Sequence, residues 1–237
     1  MATKLYFHNA TSTVSGTLPS TNQSVLTFNK LSDAVTVNRS MNTTIGTSQV
    51  SKAIATDVGT QQQNLYYARF ISMPLGTQTI SANTWDYNFA AQTNNLNANF
   101  PVNTSGPVYI NCYVWRPSTG AKVGTILEGD SVSDFAEVSV ASAEKVCNGT
   151  FSGSSLAIQN QDVLCFEMIF QVIQSVTNAR TNTVYYDGTT ENATDNTTVS
   201  SHASYIQTPQ TLSLATNSID MTPNAVVAVH PKPIKAV

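Results

Sequence analysis

The sequence predicts an all-β protein: a jelly-roll-like β-sandwich with an extended N-terminal arm and a short C-terminal tail. Three observations carry that reading. Between Asn64 and Ala215 the chain divides into about eight short runs of period-two apolar alternation, closed by Gly, Asn, Asp, Pro or Ser. No segment carries a helical apolar stripe. Hydrophobic residues make up 41% of the 237 residues and charged residues only 11%, against roughly 25% charged in an average globular chain. The outward positions are filled by Thr, Ser, Asn and Gln, and Thr suits strands because it is β-branched.

Residues 1–60 differ in texture from the rest. They are polar and rich in Thr and Ser, with apolar residues (Leu18, Val25, Leu26, Phe28, Leu31, Val35, Val37) too sparse to enclose a core. They read as an extended arm with short strands, ordered along a surface that other chains supply. Residues 61–215 read as the sandwich. The run "NLYYARFISMPL" alternates and ends at a proline, and "TISANTWDYNFAAQ" sets Trp85, Tyr87 and Phe89 on one face. In "VYINCYVW" one face is Val108, Ile110, Cys112 and Val114, and the other Tyr109, Asn111, Tyr113 and Trp115. "RPSTG" then reads as a turn. "KVGTILEGD", "FAEVSV" and "EKVCNGTFSGSSL" follow. "DVLCFEMIFQVIQSV" is the strongest strand, with Leu164, Phe166, Met168 and Phe170 on one face and Val163, Cys165, Glu167 and Ile169 on the other. "TNTVYYDGTT" turns at Asp187-Gly188, and "SHASYIQTPQTLSL" closes the body. Residues 216–237 form the tail, either mobile or an arm that adds a strand to a neighbour through Val226, Val227 and Val229.

Composition excludes several partners. The net charge is −3 and no Lys/Arg cluster exists, so neither nucleic acid nor an anionic membrane surface is expected. No apolar run approaches the roughly 18 residues of a membrane span. The N-terminus lacks the apolar core of a signal peptide, so folding in a cytoplasm is expected. Cys112, Cys147 and Cys165 read as buried reduced thiols, with a Cys112–Cys165 bridge as the alternative. The many Asn-x-Ser/Thr triplets are read as products of a chain rich in Asn and Thr.

Catalysis is not expected. There are three histidines, His8, His202 and His230, and no HxH, HExxH or CxxC spacing, so no metal or other cofactor is called for. The carboxylates available for an acid–base pair are Glu128, Asp130, Asp134, Glu137, Glu144 and Glu167. Glu128 and Asp130 in "LEGD" supply two of the six or more ligands that calcium needs. The aromatic residues Trp85, Tyr87, Tyr109, Tyr113 and Trp115, with Arg116 beside them, remain as core, subunit interface or sugar-stacking platform.

The strings "TISANTWDYNFAAQ", "FPVNTSGPVYINCYVWRPSTGAKVGTILEG" and "VYYDGTTENATDNTTVSSHASYIQTPQTLSL", with the openings "LYFHNATSTVSGTLPSTNQS" and "TVNRSMNTTIGT", resemble a family of tailed-phage virion proteins. The resemblance covers most of residues 1–215. It implies a virion component without enzymatic activity, assembled in the host cytoplasm. A head decoration (cement) protein would bind the major capsid protein and copies of itself, as a homotrimer, through an arm offering Leu5, Tyr6, Phe7, Leu18, Val25 and Phe28. The alternative is a tail or neck fibre protein whose sandwich binds a host glycan through Trp85, Trp115 and their tyrosines.

Overall fold

The computed structural model describes residues 2–19, 30–55, 57, 63–93, 108–132, 143–172, 181–191, 194 and 197–215. They form strands β1 (Lys4–Thr11), β2 (Lys30–Leu31), β3 (Asn38–Asn42), β4 (Val50–Ala55), β5 (Gln63–Ser72), β6 (Gln78–Ile80) and β7 (Asn83–Thr93). These are followed by β8 (Val108–Arg116), β9 (Ala121–Val132), β10 (Lys145–Gly153), β11 (Leu156–Ile158), β12 (Val163–Val172), β13 (Thr181–Tyr186) and β14 (Tyr205–Gln207). The described residues contain no helix, and the all-β class is as the alternation predicts.

One large mixed sheet runs in the order β4-β13-β7-β14-β1-β3-β5-β12-β8-β9, with β10 beside β7 and β2 beside β5. β6 and β11 make a separate pair. β3 and β2 meet β5 in parallel, and the other ladders are antiparallel. β10 occupies one edge of β7 along Asn83–Ala91, so β13 and β14 share the other edge in succession.

The sheet folds over on itself. Four strands separate β7 from β12 in hydrogen-bonding order, yet the rings of Phe89 and Phe166 lie 6.0 Å apart. Phe7 of β1 stacks on Phe70 at 4.4 Å, on Phe166 at 5.0 Å and on Phe89 at 5.6 Å. The Tyr67 hydroxyl of β5 donates to the carbonyl of Asn182 in β13 at 2.8 Å. Two layers therefore enclose one aromatic core, as in a sandwich. The strand order does not itself identify a jelly roll.

Parity decides which residues reach that core. Ile110, Cys112 and Val114 of β8, with Leu164, Phe166 and Met168 of β12, point inward. β5 breaks the rule at a bulge: the pairing with β12 skips Tyr67, so Leu65 and Tyr67 face inward before it and Ala68 and Phe70 after it. Cys112 and Cys165 fall on opposite faces of neighbouring strands, and all three cysteines are free. The alternative bridge is thereby excluded.

The expected boundary at residue 60 is not where the fold begins. β1 and β3 are interior strands of the sheet, and Leu5, Phe7 and Met41 are fully buried. Sequence spacing missed this because β1 gathers its partners from far along the chain: β14 on one edge, and β3 on the other. The turn after β13 is tied to β1 as well, the Asp187 amide donating to the Phe7 carbonyl at 3.0 Å. Asp187, at φ 64°, accepts from His8 Nδ1 at 2.9 Å and from the Asn9 amide at 3.0 Å. Val25, Phe28, the predicted strand "FAEVSV" and the tail 216–237 lie outside the described residues.

Candidate functional site

The outward face of the β3-β5-β12-β8 layer carries a row of directly opposed polar residues. Asn38 pairs with Arg69, Arg69 with Glu167, and Glu167 with Asn111 in the strand register. Arg69 and Glu167 are both fully buried, with Nη1 and Oε1 3.9 Å apart. Asn111 Nδ2 donates to Glu167 Oε2 at 3.1 Å, and the Tyr113 hydroxyl donates to Oε1 at 3.3 Å. Arg69 Nε donates to Asn38 Oδ1 at 2.8 Å. Each charge thus keeps a charge-assisted bond where water is excluded, the condition under which a buried pair is tolerated. Burial pushes the Tyr113 hydroxyl far up, so it stays a donor.

What excludes water is the segment after β1. Ser12 to Pro19 crosses this face as a strap. Its Pro19 carbonyl accepts from Arg69 Nη2 at 2.6 Å, and its Thr17 carbonyl accepts from Trp115 Nε1 at 2.9 Å. The Thr17 amide donates to the Pro117 carbonyl at 2.7 Å. Val14 and Leu18 pack on Ile71, Tyr113, Trp115, Val163 and Cys165. Two glycines permit the approach. Gly16, at φ 103°, would place a Cβ 2.8 Å from Pro117 Cβ, and Gly120, at φ 68°, would place one 2.7 Å from Thr17 Cγ2. The "RPSTG" turn is therefore shaped to receive the strap.

The sequence-derived site residues separate under this geometry. Trp85 and Tyr87 point into the central core, at 0% and 1% exposure, and Tyr113 and Trp115 lie beneath the strap at 1% and 7%. These four rings are covered by their own chain, so they form no exposed platform; of the readings the sequence left open, core holds for them. Tyr109 keeps its backbone place in β8 opposite Ile169, and its side chain lies outside the description. Arg116 is occupied by a two-pronged ion pair with Asp162, at 2.8 and 2.9 Å. Leu5 and Phe7 are in the central core, Tyr6 packs on Tyr205 and Ala203, and Leu18 lies in the strap. Leu5, Tyr6 and Phe7 therefore offer no capsid-contacting surface, because β1 needs both of its faces for this fold.

The sequence reading gives Arg69 no role and offers Glu167 only as an acid–base carboxylate. The signal was available: a lone charge inside an otherwise apolar strand, in "YYARFI" and "LCFEMIF". A charge buried in such a strand needs a partner to offset its desolvation.

Two openings flank the strap. A trench of about 530 Å³ lies between residues 10–15, Ser40–Asn42 and Ile71–Pro74, and a continuation of about 260 Å³ runs along Val14–Gly16, Pro117 and Ser118. Val14, Ser15, Pro74 and Gln161 line both. Elsewhere, a cleft of about 250 Å³ over β7, β10 and β14 is lined by Asp86, Asn88, Asn148, Thr150, Tyr205 and Gln207. Gln207 Nε2 donates to Asp86 Oδ2 there at 2.9 Å.

Ion pairs elsewhere follow the same economy. Asp33 holds both Arg39, at 2.7 Å, and Lys52, at 3.0 Å. Burial pushes the Asp33 carboxyl up, but the hydrogen bonds from Arg39 and Lys52 outweigh it and leave its pKa below the usual value. His202 is fully buried, with Nε2 2.7 Å from Asn88 Oδ1. Burial pulls its pKa down to about 4, with nearby Glu191 opposing. No family model matches this chain, and a search of curated proteins finds no match.

Proposed function

We propose that the chain is a non-enzymatic structural component of a phage virion: a capsid decoration protein that ties neighbouring major capsid subunits together. The sequence resemblance given above motivates the reading. The observation that carries it is the disposal of charge. Among the described residues, six Lys and Arg pair with carboxylates of the same chain: Lys4, Lys30, Arg39, Lys52, Arg69 and Arg116. What is left outside is dominated by Thr, Ser and Asn. Copies of such a body pack at high density with little mutual repulsion, which suits a shell component. A trimer of standard interfaces, roughly 1,600 Å² each, would hold one joint. With β1 inside the fold, the capsid contact falls to the surface of the body.

Copy number in purified virions, measured against the major capsid protein, tests this. Hundreds of copies per particle support a head location; a few to a few dozen, or none, overturn it. One observation favours the fibre alternative: the Asp86–Asn148–Gln207 cleft offers carboxylate and amide groups of the kind that bind sugar hydroxyls. A glycan array with Asp86→Asn as control distinguishes that reading, now removed from Trp85 and Trp115.

A further inference from the structure

We propose that the trench beside the strap and its continuation form a binding site for a neutral oligosaccharide, with Gln161 at their junction. The site shares no lining residue with the Asp86 cleft and does not rest on the virion reading. The trench follows from the way β1 leaves the sheet. Between the pairs Phe7–Met41 and Thr11–Arg39, β1 advances four residues and β3 only two, so the extra residues bow out of the ladder. The gap opens over residues 71–74.

Its size and lining fit one class of ligand. The trench alone, about 530 Å³, falls within the roughly 300–1,000 Å³ of small-ligand sites. The continuation adds about 260 Å³. Val14, Met73 and Pro74 give apolar surface for the C–H face of a pyranose ring. Among the described residues, the hydroxyls of Thr11, Thr13, Ser15 and Ser40 have no protein partner, which leaves them to bond a ligand's hydroxyls. No charged residue lines either cavity, so a carboxylated or sulfated sugar finds no counter-ion there. An extended peptide would need a straight edge to pair with, and the strap turns at Gly16, φ 103°.

Gln161 is the second observation. It lines both cavities at φ 74°. Left-handed backbone in a residue other than Gly, Asn or Asp is costly, and persists where the surroundings enforce it. Here the Gln161 amide donates to the Leu75 carbonyl at 2.8 Å, and the next residue, Asp162, is clamped by Arg116. The exposed Gln161 side chain has no protein partner among the described residues. Its carboxamide therefore offers a donor and an acceptor where the two cavities meet.

Titration of the full-length, nitrogen-15-enriched chain with maltotriose, cellotriose and triacetylchitotriose tests this. At least one should shift the amide signals of Thr13, Ser15, Met73 and Gln161, saturating with a Kd of about 1 mM or below. Gln161→Gly, which keeps the left-handed backbone, should weaken that binding about fivefold, the loss of one neutral hydrogen bond, with the rest of the spectrum unchanged. Asp86→Asn should leave the binding as it is. No saturable shift with any of the three sugars overturns the proposal. So does binding that Asp86→Asn abolishes and Gln161→Gly spares, which would put the sugar in the other cleft. Tighter binding of 3′-sialyllactose than of lactose would contradict the uncharged lining.

Discussion

Arg69 and Glu167 face each other across β5 and β12 with neither side chain reaching solvent, and both are roofed by the strap from Ser12 to Pro19. A pair in that position specifies strand register. A slip by one residue would swing each charge onto the aromatic core face without its partner.

Breaking the pair is therefore expected to be worse than replacing it. Glu167→Gln or Arg69→Met alone should destabilise by about 3–5 kcal/mol, since each leaves a buried charge uncompensated. The double variant Arg69→Met/Glu167→Gln, which leaves no charge buried, should recover much of that loss. Urea denaturation of the three variants measures it, and an additive double variant would contradict the coupling.

The strap depends on few contacts, so small changes should loosen it selectively. Trp115→Phe removes the bond to the Thr17 carbonyl and should lower stability by about 1 kcal/mol. Gly16→Ala places a side chain at φ 103° against Pro117 and should cost about 1–2 kcal/mol. In both variants, amide exchange should accelerate at Thr17, whose amide bonds the Pro117 carbonyl, while β12 keeps its protection.

Phe7 is the ring on which three strands converge. Phe7→Ala is expected to destabilise by about 3–5 kcal/mol, the range for a truncated core aromatic. Thermal or chemical denaturation reads it directly, and a loss below about 1 kcal/mol would be the signature of a peripheral arm.

His202 makes stability pH-dependent. Its ordinary pKa of 6.5 is pulled down to about 4 in the folded chain, so below 6.5 the unfolded chain binds a proton that the folded chain refuses. Stability is thus held above pH 6.5 and lost as pH falls toward 4, by on the order of 3 kcal/mol over that window. His202→Gln should flatten this part of the profile. An unchanged difference between pH 6.5 and pH 4 would show that His202 is not the group responsible.

The strands with plain alternation were legible in the sequence. In β8 and β12 the inward and outward sets are those that parity assigns, and the "RPSTG" and Asp187-Gly188 turns fall where Pro and Gly place them. In β5, Tyr67 is the extra residue of a bulge, and a strict period of two assigns the wrong face to one half of the strand. The place of β1 was not legible at all. Its burial comes from β3 and β14, and the β14 register joins Lys4 to Gln207 across almost the whole chain. The aromatic face of β8 was noticed, but its cover is Val14, Thr17 and Leu18, whose polar neighbourhood hides a packing role. Local composition does not encode a contact whose other half is a hundred residues away.

The measurement that bears most directly on the central claim is amide hydrogen exchange of the isolated full-length chain, read at β1 and the strap. The account predicts that Leu5 to His8 exchange as slowly as Leu164 to Met168, with measurable protection at the Ser12 and Thr17 amides of the strap. Rapid exchange through residues 4–19 beside a protected β12 would contradict it, and would return the N-terminal segment to an arm that waits for another chain.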